Sequence, residues 1–111
     1  MDTQQLSTEA VAQGIAKGQF TASEILAAYI QRIEGTDAQV NAFTTPWFER
    51  AAQEAKAIDQ RRARGETLPP LAGVPYAVKN LYDIQGTVTL AGSTVNQTNP
   101  PAQADAFLVQ Q

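Results

Sequence analysis

Hydrophobic residues in the first two thirds of the chain recur at the three- and four-residue spacing of amphipathic helices. A first helix is predicted from Ser7, whose hydroxyl can cap it, to about Lys17. Val11 and Ile15 lie four residues apart and therefore share one face of this helix. Gly18 is expected to end it, because glycine readily adopts the left-handed conformation that closes many helices.

A second helix is predicted from about Ala22 to Glu34. Thr21 and Glu24 have the spacing of a capping box, in which each side chain accepts a hydrogen bond from a free backbone N–H group of the first turn. Gly35 is interpreted as the C-terminal stop. The apolar stripe expected to be buried comprises Ile25, Leu26, Tyr29, Ile30 and Ile33.

The pattern changes character at the diproline Pro69-Pro70. Before it, residues 40–44 alternate as in a short strand or extended segment, and a third helix is expected to begin with Pro46 in its first turn and to end at Gly65. Residues 1–67 are thus predicted to be helical, and residues 68–111 to form short strands and loops. The last residues, 104–111, resemble the start of a helix without a cap after it.

Residues 71–79 are predicted to form a loop that leads into a short buried strand ending at Lys79. Pro75 limits the ladder hydrogen bonds of this strand, so the strand is expected to start late or to lie at an irregular edge. One or two short strands cannot satisfy their own edges. We therefore expect their sheet partners to lie outside these 111 residues.

Composition narrows the possible chemistry. The 111 residues include no cysteine and no histidine, which excludes disulfides, thiol nucleophiles, the usual zinc sites and histidine-based triads. Hydroxyl, carboxylate, lysine and backbone groups remain, and no cofactor or metal is implied. The net charge of −3 argues against direct nucleic-acid binding. The basic cluster at residues 61–64, between Asp59 and Glu66, is interpreted as a solvated helix end.

Targeting signals are not evident in the sequence. The N-terminus lacks the basic and apolar regions of a signal peptide, and no apolar stretch approaches the ~20 residues of a membrane span. A cytoplasmic location without membrane association is therefore expected.

Three short segments resemble the amidase-signature family. They are Leu71-Ala72-Gly73-Val74-Pro75, then Val78-Lys79 with Asp83 and Gly86, and then Leu90-Ala91-Gly92-Ser93. Weaker matches at Thr21–Glu24, Arg32-Ile33 and Asn41–Phe43 extend the resemblance over nearly the whole chain. It implies an α/β fold, with a mixed sheet wrapped by helices. Residues 1–111 would be an incomplete N-terminal part of one such domain.

The resemblance also implies a mechanism, in which a Ser–cis-Ser–Lys triad hydrolyses amides and Lys79 is the catalytic lysine. Both serines follow the lysine in the family, so Lys79 alone can be assigned here. In its neutral form it would accept a proton relayed from the nucleophilic serine through the bridging serine. Burial favours the neutral amine, and Ala77, Val78 and Leu81 fit such a setting. From pattern alone, a lysine after an apolar strand is more often a rim residue with its amine in water.

The amino-acid sequence of residues 78–84 resembles the branch of the family that hydrolyses 1-carboxybiuret. Asn80 stands where many members have aspartate. A small-molecule amide would be the substrate, and a homo-oligomer or a small partner subunit fits the whole protein. Two alternatives remain: the amidase subunit of a tRNA-dependent amidotransferase, and a non-catalytic interaction fragment. The 111-residue chain alone is predicted to be inactive, because it carries the lysine without the serine-rich signature.

Overall fold

Helices supply all the regular structure of residues 1–111, every one of which the computed structural model describes. The elements are a 3₁₀ helix (Thr3–Gln5), α1 (Thr8–Lys17), α2 (Ala22–Val40), α3 (Phe48–Ala63), a second 3₁₀ helix (Thr94–Thr98) and α4 (Phe107–Gln110). The chain divides into two compact units, Met1–Pro75 and Tyr76–Gln111. None of the helices combines the length and the hydrophobicity that crossing a membrane requires.

Helix α1 has both predicted caps. The Ser7 hydroxyl accepts a hydrogen bond from the N–H group of Ala10 at 3.1 Å. At the other end Gly18 is left-handed, with φ 74°, and the N–H group of Gln19 reaches back to the carbonyl of Gly14 at 2.9 Å. The predicted limits of this helix are therefore confirmed.

Helix α2 has the predicted start but not the predicted end. The Thr21 hydroxyl accepts from the Glu24 N–H group at 3.0 Å, and the Glu24 carboxylate accepts from the Thr21 N–H group at 2.8 Å. The stop at Gly35 is wrong, since the helix continues to Val40 and closes at a left-handed Asn41 with φ 54°. A mid-helix glycine costs only about 1 kcal/mol, which is too little to end a helix that has another cap available.

The core of residues 1–75 lies between the helices. Ile25 of the predicted stripe is 0% exposed, Leu26 and Tyr29 pack at the edge of the core, and Ile30 and Ile33 are half-buried. The predicted burial of the stripe is thus complete at Ile25 and partial at the other four residues. The buried apolar residues of this core are Val11, Ile15, Ala22, Ile25 and Ala55.

Helix α3 begins at Phe48, two residues after the predicted Pro46. Its C-terminal end is capped by the turn that follows Ala63. Gly65 is left-handed with φ 76°, and the N–H group of Glu66 donates to the carbonyl of Arg61 at 3.1 Å. This is the Schellman arrangement, so Gly65 closes the helix as expected.

The basic side chains at the end of α3 make contacts with neighbouring residues of the protein. Arg61 and Arg64 each donate to the Glu66 carboxylate, at 2.9 and 2.8 Å, and these hydrogen bonds hold the pKa of Glu66 below its ordinary value. Arg62 lies instead against the C-terminus of α1, since a Cβ atom placed on Gly18 would stand 2.2 Å from its Nη1. The solvated helix end inferred from the sequence fits Arg61 and Arg64.

Asp59 of α3 joins the two long helices. Its Oδ1 accepts from the Ala22 N–H group at 2.7 Å, and its Oδ2 accepts from the N–H and hydroxyl groups of Ser23 at 3.1 and 2.6 Å. These N–H groups belong to the first turn of α2, where helices have unpaired donors and a positive dipole end. A carboxylate 36–37 residues away in sequence thus completes the cap of α2.

The short strands predicted after the diproline are absent, and residues 40–44, predicted to be a short strand or an extended segment, contain no strand. A strand requires a neighbouring strand for its N–H and C=O groups, and residues 1–111 provide none. Within residues 76–111 some of these groups pair between separate loop segments instead: the Gly86 N–H group donates to the Ala102 carbonyl at 2.9 Å, and the Ala102 N–H group donates to the Thr87 carbonyl at 2.8 Å. This unit contains no fully buried side chain.

Candidate active site

A turn at residues 71–74, upstream of Lys79, packs against the helical core at Gly73. The N–H group of Val74 donates to the carbonyl of Leu71 at 3.1 Å, and Gly73 has φ 84°, which together define a type II turn. A Cβ atom at position 73 would lie 2.6 Å from Cδ1 of Ile15 and 3.0 Å from Cβ of Ala22. Glycine is therefore required here for both its backbone angle and its lack of a side chain.

Lys79 is exposed and lies in a turn, which corrects the expectation of a buried strand end. Its carbonyl accepts from the N–H group of Tyr82 at 3.1 Å. Of the flanking residues expected to bury it, Ala77 and Leu81 are exposed and Val78 is half-buried. Burial of a lysine needs packed side chains on every side, and residues 76–111 form no closed core that could supply them.

Asn80 connects the Lys79 turn to a second turn at residues 90–93. Its Oδ1 accepts from the N–H group of Leu90 at 3.1 Å, and its carbonyl accepts from the N–H group of Ala91 at 2.9 Å. The carbonyl of Leu90 in turn accepts from Nδ2 of Asn96 at 2.9 Å. The N–H group of Leu90 is thus held by the side chain of Asn80, and its carbonyl group is held by the side chain of Asn96.

The turn at residues 90–93 has an uncommon backbone. The N–H group of Ser93 donates to the carbonyl of Leu90 at 2.9 Å, while Ala91 and Gly92 have φ 48° and φ 70°. Two consecutive left-handed residues make this a type I′ turn. The Ser93 hydroxyl accepts from the N–H group of Val95 at 3.3 Å and starts the second 3₁₀ helix, which is a structural role.

Asp83 faces a cleft of about 380 Å³. Its carboxylate accepts a hydrogen bond from the Thr89 hydroxyl, and its carbonyl accepts from the N–H group of Ala106 at 2.9 Å. The residues that line the cleft are Asp83, Thr89, Asn99, Pro100, Pro101, Ala102 and Gln103. Lys79 is not among them, so the cleft and the candidate lysine do not form one site within this unit.

The asparagine contacts around the Lys79 turn are not predicted by the sequence. There Asn80 stands out only because it departs from the aspartate of many family members, and nothing distinguishes Asn96. Asparagine is enriched in turns because its side chain bonds to nearby backbone groups. That tendency could have marked both residues, although it does not say which backbone groups they bind.

Comparison with known proteins covers most of the chain. Residues 24–111 match the family model described as Amidase. The chain is 56% identical over 105 residues to AtzE of Pseudomonas sp. (strain ADP), a 1-carboxybiuret hydrolase subunit, and the match covers 95% of this chain and 23% of that protein. It is also 40% identical over 94 residues to one subunit of the glutamyl-tRNA(Gln) amidotransferase of Streptomyces coelicolor, which covers 85% of this chain and 19% of the relative.

A solved structure has the same fold over this segment. It is described as an unexpected vestigial protein complex that reveals the evolutionary origins of an s-triazine catabolic enzyme. The TM-score is 0.93 at 56% sequence identity, with 95% of this chain and 23% of that chain covered. The chain thus spans about a fifth to a quarter of the length of these proteins.

Proposed function

The chain belongs to the amidase family, as the match over residues 24–111 shows, and on that premise we propose that it is part of an enzyme that hydrolyses the C–N bond of an amide, with Lys79 as a proton-transfer group. The observation that carries the proposal is the coverage of the match, which includes the whole Leu71–Ser93 segment around Lys79. In this proposal residues 1–111 form the N-terminal part of one amidase domain.

The proposed reaction requires Lys79 as the proton acceptor and two serines that lie outside residues 1–111. Neutral Lys79 accepts a proton, relayed by a bridging serine, from a nucleophilic serine that attacks the amide carbonyl. Lys79 returns this proton through the bridging serine to the leaving nitrogen, ammonia or an amine departs, and water then hydrolyses the acyl-enzyme. Because Lys79 is exposed in this segment, the side chains that desolvate it in the enzyme would also come from outside the segment.

The substrate proposed is a small linear amide of the carboxybiuret type. Its support is the 56% identity to a 1-carboxybiuret hydrolase subunit, compared with 40% to the amidotransferase relative. The second identity still favours a specific alternative, an amidase subunit that serves a tRNA-dependent amidotransferase. Ammonia release from carboxybiuret without tRNA would support the first function, and glutamine hydrolysis coupled to a charged tRNA would support the second.

We also propose that the whole protein works within an assembly. Both relatives are named as subunits, and the similar solved structure is described as a protein complex. A cytoplasmic location, a homo-oligomer and a small partner subunit remain predictions. Light scattering of the purified whole protein, alone and after co-expression with its genomic neighbours, would measure the assembly directly.

The test of Lys79 is its replacement by alanine in the whole protein. Loss of a triad member lowers kcat by several orders of magnitude, so Lys79→Ala is expected to reduce kcat by at least about 10³-fold. Lys56→Ala removes another exposed lysine, on α3, and serves as the control, with kcat expected to be unchanged. Near-normal turnover by Lys79→Ala at matched folded concentration would contradict the proposed role.

A further inference from the structure

The turn that carries Lys79 is joined to the turn at residues 90–93 through one residue, Asn80. Asn80 uses two acceptors at once: its side-chain Oδ1 receives the Leu90 N–H group at 3.1 Å, and its carbonyl receives the Ala91 N–H group at 2.9 Å. Two adjacent donors on one turn therefore meet two acceptors of one residue on the other. Such a paired contact fixes orientation as well as distance.

The peptide that links Lys79 to Asn80 is held through its carbonyl group. The Lys79 carbonyl, which belongs to this peptide, accepts from the Tyr82 N–H group at 3.1 Å. The next peptide is held by the bond from Ala91 to the Asn80 carbonyl. The bonds therefore restrain the two peptides that flank Asn80, and the first of these is attached directly to the Cα atom of Lys79.

The turn at residues 90–93 is a firm point of attachment. Asn96 donates to the Leu90 carbonyl at 2.9 Å, and Ser93 donates to the same carbonyl at 2.9 Å. The Leu90 peptide is thus bound from the side opposite to Asn80 by two further donors. Because the turn at residues 90–93 is held in this way, its contacts with Asn80 can fix the backbone next to Lys79.

From this arrangement we propose that Asn80 is a positioning residue for Lys79, holding the lysine-bearing turn in the orientation that proton transfer requires. The proposal rests on the proposed function, because it assumes that Lys79 takes part in the reaction. Misplacement of a catalytic group by about 1 Å can lower a rate by about 10²-fold without loss of substrate binding. Asn80 therefore acts on turnover through Lys79 and needs no contact with substrate.

The experiment compares variants of the whole protein by steady-state kinetics and by amide hydrogen exchange. Asn80→Ala is expected to lower kcat by about 10–100-fold with KM changed less than about threefold, and to speed exchange at the Leu90 amide. Asn80→Asp keeps a side-chain acceptor and is expected to recover most of both, with kcat compared at the pH optimum of each variant. Gln110→Ala is the control, since it removes a 2.7 Å side-chain-to-backbone bond elsewhere in the same unit.

The outcomes separate this proposal from the one it rests on. An active Lys79→Ala variant would refute the role of Lys79 itself, and the positioning role with it. An inactive Lys79→Ala variant beside an Asn80→Ala variant with normal kcat would overturn the positioning role alone. If Asn80→Ala does not fold, Asn80→Gln decides, because its longer amide displaces the turn: a folded variant with reduced kcat supports the proposal, and one with normal kcat overturns it.

Discussion

Ala91 is held in a backbone conformation that L-residues avoid. Its φ of 48° places it at the first central position of the type I′ turn, where asparagine, aspartate and glycine are usual. For an L-residue the left-handed region costs roughly 1–2 kcal/mol. The exposed Ala91 side chain recovers little of this cost through packing, so the hydrogen bonds of the surrounding turn must offset it.

Replacement of Ala91 by glycine should therefore stabilise the protein. The relief of strain exceeds the entropy that glycine adds to the unfolded chain, and we expect a gain of up to about 1 kcal/mol in the free energy of unfolding. Urea denaturation of the whole protein would measure it. Ala104→Gly, at an exposed position without positive φ, is the control and should be slightly destabilising. Equal destabilisation by both variants would rule out strain at Ala91.

At the scale of elements, a single carboxylate adds a polar link to the packed junction of α2 and α3. Asp59 accepts three hydrogen bonds, two of them from backbone N–H groups of the first turn of α2. The local capping box of Thr21 and Glu24 satisfies other donors of the same turn. The start of α2 is thus capped twice, once by its own sequence and once by another helix.

We expect Asp59→Ala to lower the free energy of unfolding by about 1–3 kcal/mol. The N–H group of the buried residue Ala22 would lose its partner, and hydrogen bonds to a charged acceptor are among the stronger ones. Thermal or urea unfolding would give the value. Asp2→Ala removes a carboxylate that caps only the three-residue 3₁₀ helix, and it should cost less than about 0.5 kcal/mol. An Asp59→Ala variant no less stable than Asp2→Ala would contradict the tertiary cap.

The elements that the sequence predicts well are those with local signals. Ser7, Gly18 and the Thr21–Glu24 box act over a few residues, and each cap forms as expected. The stop at Gly35 fails because one glycine is outweighed by the cap at Asn41. Contacts of long range leave no local pattern, which is why the Asp59 cap was not predicted.

The same reasoning explains the mixed result at the candidate site. The motif around Lys79 can be recognised from the amino-acid sequence alone, and it predicts the family that the comparisons identify. Burial of Lys79 and a strand before it require neighbours that residues 1–111 do not contain. The Asn80 contacts depend on the meeting of two turns ten residues apart, which spacing alone does not specify.

At the scale of the whole molecule, the two units are stabilised differently. Residues 1–75 enclose five buried apolar side chains, whereas residues 76–111 bury none completely and are held by turns and hydrogen bonds. Local opening is easiest where few apolar contacts are lost. The second unit should therefore have the lower local stability in the 111-residue chain.

Hydrogen exchange of the 111-residue chain, followed by mass spectrometry, should show this difference. Amides of residues 76–111 are expected to exchange before the amides of α1 and of the first half of α2, because their opening exposes less apolar surface. Peptides from α3 provide an internal reference within the first unit. Protection of residues 76–111 equal to that of the α1 and α2 core would show that the second unit is not the weaker one.

The contact of Gly73 with Ile15 and Ala22 also bears on how the protein is made. On the ribosome, α1 and α2 emerge first, but their core stays open until Asp59 and then the Gly73 turn arrive. Chains grow at about 5–20 residues per second, so the 36 residues from Tyr76 to Gln111 take roughly 2–7 s more to synthesise. Helix assembly is much faster than this. The anchor upstream of Lys79 is therefore expected to form as soon as Gly73 leaves the ribosomal tunnel, so that chain growth and not helix packing limits when it forms.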